Sequence, residues 1–152
     1  MPLDVTRSRV IPLPPERVAA YAMDWRHDQE WTQGIRTATL TTEAPTGGFG
    51  VGAEVTRTAV FLGKRIDYIL RVEAHQPPAL LDMRSVAGPF PMHVTYRFES
   101  HPDGTLATIR VRGDASRQYR LSSPLMGAMV GRNLGKDLRD LQRKLSEHPP
   151  RR

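Results

Sequence analysis

The sequence predicts an α+β fold: a curved antiparallel sheet of about seven strands wrapped around one long C-terminal helix, with two short helices between the first and second strands. Three observations predict it. Strand-like segments joined by short turns fill the chain from Ile35 to Val111. A single long amphipathic pattern, Ser122 to Glu147, follows them, and a lone helix after so much sheet is what the sheet must cover. Within that helix Gly127, Gly131 and Gly135 project on the same broad side as Val130, Leu134, Leu138, Leu141 and Leu145. An interior glycine costs a helix about 1 kcal/mol against alanine. Glycines spaced by four therefore imply close backbone packing or room left between helix and sheet, and we read them as room for a ligand.

Taken in order, Asp4 to Leu13 forms the first strand, and Pro14-Pro15-Glu16 opens a short helix that runs to about Met23. A second short helix spans Asp28 to Thr32 and is closed by Gly34, after which Ile35 to Thr42 resumes the sheet. The cluster from Pro45 to Gly52 is a turn; it precedes a strand rather than a helix, so its glycines have no helix N-terminus with which to hold a phosphate. Ala53 to Leu62 and Lys64 to Ala74 meet in a hairpin at Gly63. Leu80 to Val86, Pro91 to Glu99 and Thr105 to Arg112 complete the sheet, set apart by Pro77-Pro78, Gly88-Pro89 and His101-Pro102-Asp103-Gly104. Strands joined by such short turns pair antiparallel. Their alternation selects an apolar face carrying Val55, Ala59, Phe61, Leu70, Val72, Met83, Met92, Val94, Phe98 and Ile109, interrupted by Arg57, Tyr68, Ser85 and Tyr96. Arg71, Asp82, Arg84, His93, Arg97, Arg110 and Arg112 belong to the opposite, solvated face.

The 152 residues fit one domain, 1–147, with 148–152 as a frayed tail. Nothing approaches the roughly 20 apolar residues of a membrane-spanning helix, and no apolar leader opens the chain, so a cytoplasmic location is expected. With no cysteine, disulfides, thiolate catalysis and cysteine-held metals are excluded. The five histidines, 27, 75, 93, 101 and 148, show no metal-binding spacing, and we expect neither metal nor cofactor. A net charge of +6 favours polyanions in general, yet the arginines are scattered over every segment without a nucleic-acid-binding motif, and no nucleic-acid partner is expected.

The segment Val10 to Trp31, VIPLPPERVAAYAMDWRHDQEW, and the later GVGAEV at Gly50 to Val55 resemble the START-like superfamily of Bet v 1-type allergens, lipid-transfer domains and aromatic polyketide cyclases. Within it they are most similar to the polyketide cyclase/dehydrase and lipid-transport group. The resemblance covers residues 4–147. It implies a helix-grip fold with a hydrophobic cavity between sheet and C-terminal helix.

In such a cavity the polar interruptions are the candidates for chemistry. Arg57, if inward, needs an anion or carbonyl to meet; a register shift of one residue would send it to solvent. Tyr68 and Tyr96 are either core aromatics or carbonyl-polarising hydroxyls. His27 is either an acid–base group at the mouth or an exposed turn residue, and Asp24, Asp28 and Glu30 beside it read as helix-terminal charges. Trp25, Trp31, Val55, Phe61, Met83, Ser85, Met92, Gly127, Val130, Gly131 and Leu134 are expected to line the site. Leu125 and Met129 fall opposite the glycine stripe, which leaves a portal segment, a lid contact or a homodimer patch open. Two functions follow. One is a cofactor-independent cyclase or dehydratase acting on a polyketide-type intermediate. The other is a non-catalytic carrier or sensor of a lipid, isoprenoid or quinone.

Overall fold

Period-two alternation builds the sheet, and the helices close one side of it. In a computed structural model that describes residues 3–114 and 123–147, the strands are β1 (Leu3–Ile11), β2 (Ile35–Thr42), β3 (Glu54–Phe61), β4 (Lys64–Gln76), β5 (Leu80–Ala87), β6 (Met92–His101) and β7 (Gly104–Gly113). The helices are α1 (Pro15–Ala22), α2 (Asp28–Trp31), preceded by a 3-10 turn at Trp25–His27, and α3 (Ser123–Glu147). The sheet has the order β1-β7-β6-β5-β4-β3-β2, every neighbour antiparallel. Register shifts in β2 and β4 bend it, as bulges do. This is the helix-grip arrangement the sequence predicts.

Local chemistry sets the boundaries. Pro14 is extended and Pro15 occupies the first turn of α1, where its missing N–H costs nothing. After Ala22 the Asp24 side chain accepts the Arg26 N–H at 3.0 Å and starts the 3-10 turn. Gly34, at φ +81°, lets the α2–β2 junction press on β3: Val60 N–H donates to its carbonyl at 2.9 Å, and a Cβ there would collide with the Val60 carbonyl. Leu62 and Gly63, both at positive φ, form the tight β3–β4 turn.

The inward face is as expected from the alternation. Leu70, Val72, Leu81, Met83, Phe98, Ala107 and Ile109 form one buried core with Leu138, Leu141 and Leu145 of α3 and with Trp31 and Val18 of the helical corner, and Val55 is buried as well. The outward side chains of β4 to β7 include the charged residues predicted there.

Two readings change. The first strand stops at Ile11, where Leu13 N–H turns back to the Ile11 carbonyl. The glycines of α3 are not room left for a ligand: a Cβ on Gly127 would touch Leu3 and Val5 at 3.8 Å, one on Gly131 would meet the Arg7 guanidinium, and Gly135 is open to solvent. α3 lies along edge strand β1, with Gly127 and Gly131 facing it. The helix is regular from Ser123, so the irregular segment considered before Val130 is absent; Leu125 is exposed and Met126 turns inward. The tail at 148–152 lies outside the described residues.

Candidate functional site

A cavity of about 160 Å³ lies between the sheet and α3. Ile35, Phe61, Ile66, Tyr68, Met92 and Val111 line it from the sheet, and Met126, Val130, Leu134 and Asp137 from α3, with Phe90 and Asp114 at its rim. An apolar cavity of roughly this volume holds a single aromatic ring.

Asp137 is the chemically distinctive wall residue. It stands three residues after Leu134 and four before Leu141, on the buried stripe of α3, and is only 4% exposed. Gln33, in the α2–β2 junction, donates its backbone N–H to Asp137 Oδ1 at 2.6 Å and its side-chain amide to Asp140 Oδ2 at 2.7 Å. Burial pushes this carboxyl up to about 7; the Asp140 charge adds to the rise, while the Gln33 N–H and the Arg57 charge oppose it.

Behind the cavity the polar residues form a second, buried cluster. Arg57 of β3 points inward, and its Nε and Nη2 both donate to Asp28 Oδ2, at 3.1 and 2.8 Å. Both side chains are almost wholly buried. Burial works against the guanidinium, but Asp28 and the hydroxyls of Tyr96 and Tyr68 hold it firmly protonated. Burial in turn pushes the Asp28 carboxyl up, and Arg57 offsets part of that rise. Burial raises the Tyr96 hydroxyl to about 12, so it stays a neutral donor. One cation and one anion thus balance within this cluster.

Of the expected site residues, Phe61, Tyr68, Met92, Val130 and Leu134 come together on the cavity wall. Arg57, Tyr96, Val55 and Met83 do not: with Trp25 they surround a void of about 10 Å³, too small for any ligand. The inward reading of Arg57 is right, but the anion it meets is the protein's own Asp28. Gly127 and Gly131 face β1, and Trp31 is packed in the core with its ring 5.6 Å from that of Tyr96. His27 is absent from the cavity wall. Its ring stacks on Tyr21 at 4.2 Å, and its Nδ1 lies 2.7 Å from Glu30 Oε2, in a surface cluster beside Asp24. Ser85 sits at the outer end of β5, where its Oγ accepts the Met92 N–H at 2.8 Å. Trp25 also borders an open apolar groove of about 670 Å³ between α1, Phe49 and Pro77-Pro78, on the far side from α3.

Asp28 and Asp137 are the functional residues missed from the sequence. The helical spacing of Asp137 from Leu134 and Leu141 is a usable signal. Asp28 offers none, because a carboxylate in the first turn of a short helix is ordinary on the surface. Among the described residues no three His, Asp or Glu side chains stand together as metal ligands, and no helix is long and apolar enough to cross a membrane.

Comparison with known proteins agrees with this architecture. No curated protein matches the sequence significantly. Among solved structures, a START superfamily protein from Mycobacterium smegmatis superposes with a TM-score of 0.81 at 12% identity, covering 96% of this chain and 99% of that one. A Thermus thermophilus protein gives 0.80 at 19% identity, over 97% and 99%. The Zhui aromatase/cyclase of a Streptomyces species gives 0.72 at 14% identity, over 97% and 95%. Identities this low establish shared fold alone. The sequence itself, over residues 2–146, matches the family described as polyketide cyclase / dehydrase and lipid transport, and the chain belongs to that family.

Proposed function

We propose that the protein binds a ring-sized hydrophobic carbonyl compound in the cavity beneath α3 and acts on it as a cyclase/dehydrase, with Asp137 as its acid–base group. The carrying observation is Asp137 itself: a buried carboxyl held by Gln33 on an otherwise apolar wall of the cavity. A proton affinity near neutrality suits a group that must both accept and return a proton. In dehydration of a β-hydroxy ketone, ionised Asp137 takes the proton between carbonyl and carbinol. The carbon–oxygen bond then breaks, and Asp137 returns the proton to the departing hydroxyl, which leaves as water. Arg57 serves as a positioning residue, tying α2 to β3 behind Tyr68.

One observation favours the carrier reading instead: Arg57, the inward-facing guanidinium of β3, is spent on Asp28 and is not available to polarise a carbonyl. The aldol adduct of benzaldehyde and acetone tests the choice, since its dehydration to the enone is followed by absorbance. Turnover above background that is lost in Asp137→Asn, with enone binding retained, is the expected result. Binding without turnover leaves the carrier of a small isoprenoid, quinone or lipid fragment as the reading, and turnover indifferent to Asp137→Asn removes Asp137 as the acid–base group. Val130→Trp, which fills the cavity, abolishes binding on either account.

A further inference from the structure

Where β5 and β6 separate, the outer face of the sheet carries a second concavity of about 300 Å³, lined by Arg84, Ser85, Met92, His93, Arg112 and Gly113. Three of these, Met92, Arg112 and Gly113, also line the cavity under α3, so the two share a wall. The strands part for a visible reason. Pairing of β5 with β6 stops at Arg84 and His93, and beyond it the Ser85 hydroxyl, rather than a carbonyl, takes the Met92 N–H.

The chemistry of this gap is a shortage of acceptors. Arg84, His93 and Arg112 are cross-strand neighbours on β5, β6 and β7. Both guanidiniums donate to the same atom, His93 Nδ1, at 3.4 and 2.8 Å. Because a guanidinium only donates, Nδ1 must be the lone-pair nitrogen, and His93 Nε2 carries the hydrogen toward Asp82 Oδ1, 2.7 Å away. Two cations thus share one neutral acceptor, and Arg112 Nε is buried with no acceptor among the described residues. Of the nearby carboxylates, Asp82 accepts from His93 and Thr95 and Asp4 pairs with Arg110 at 2.6 Å, while Glu73 pairs with Arg84 at 3.8 Å and the charges of Asp4 and Asp82 also reach Arg112.

We infer that this gap is an oxyanion site at the mouth of the cavity, and that the ligand is an amphipathic acid whose apolar part enters under α3 while its carboxylate lies between Arg84 and Arg112, within reach of the Ser85 hydroxyl. Bidentate guanidinium donors and a hydroxyl that has already accepted one bond and still has its own hydrogen to give are the groups a carboxylate takes. The inference rests on the cavity reading above and narrows its ligand from a neutral hydrophobe to an anionic one.

Isothermal titration calorimetry with phenylbutyrate and its neutral counterpart phenylbutanol tests it. The acid is expected to bind at least about tenfold more tightly at low salt, with the preference shrinking as salt is added. Arg84→Gln together with Arg112→Gln should erase the preference for the acid over phenylbutanol, and the corresponding lysine pair should restore part of it. Circular dichroism confirms that each variant is folded. Equal affinities in the wild type, or a preference that survives the double glutamine substitution, overturns the anion site. If phenylbutanol binds and Val130→Trp blocks it, the cavity reading stands whatever the acid does; if neither compound binds, both fall.

Discussion

Arg57 and Asp28 are the most consequential pair at the scale of single residues. A buried ion pair adds little net stability, but removing one member strands the other. Arg57→Met is expected to cost about 3–5 kcal/mol in urea unfolding, whereas Arg57→Met with Asp28→Leu should recover most of that loss. An equal loss in single and double variants would mean that the pair is not coupled. Asp137 makes a different prediction. Its folded carboxyl keeps the proton up to about pH 7, while the unfolded chain releases it near 3.8. Between those values the native state holds the extra proton, so stability is greatest below the window and falls as pH rises through it, by up to about 4 kcal/mol. Asp137→Asn should flatten that decline, as read from unfolding midpoints across the pH range. Alternation along β3 was enough to turn Arg57 inward, because a strand's period leaves only two choices. It could not name Asp28, which approaches from another element and whose local sequence is that of an exposed helix start.

At the scale of elements, α3 shows how a correct pattern can carry a wrong purpose. The spacing of its glycines and leucines was legible, and so was the helix itself. What the glycines face was not, since that depends on the path of β1, more than a hundred residues away in the chain. The outcome is a helix seated on an edge strand, with Leu3 and Val5 packed over Gly127. Gly135, with nothing within 4 Å of its missing Cβ, has no packing reason to be glycine. Gly135→Ala is therefore expected to raise stability by up to about 1 kcal/mol, and Gly127→Ala, whose Cβ meets only ordinary contacts, by a similar amount. Gly131→Ala should gain less, because Arg7 must first move aside. Thermal melts of the three variants rank them; a loss at Gly135 would show that the site needs its freedom.

The whole molecule is a shell of sheet closed by one helix, and that much follows from the order of patterns along the chain. The size of the enclosed space does not, because it depends on how far Phe61, Tyr68 and Met126 reach across it. One helix carries both the ring-sized wall at Val130 and Leu134 and the carboxyl at Asp137. Whatever fills the space also expels the last solvent from that carboxyl, and a desolvated acid holds its proton more tightly. Occupancy and proton affinity are then thermodynamically reciprocal: a ligand that favours the neutral acid binds more weakly in alkaline solution and draws hydrogen ions out of the buffer as it enters. Titrations of phenylbutanol above neutrality, run in buffers of unlike ionisation enthalpy, should therefore disagree in apparent heat by the protons taken up, and the disagreement should vanish in Asp137→Asn. The molecule would then behave as a small proton-coupled receptor, its filled state reported by the acidity of the medium around it.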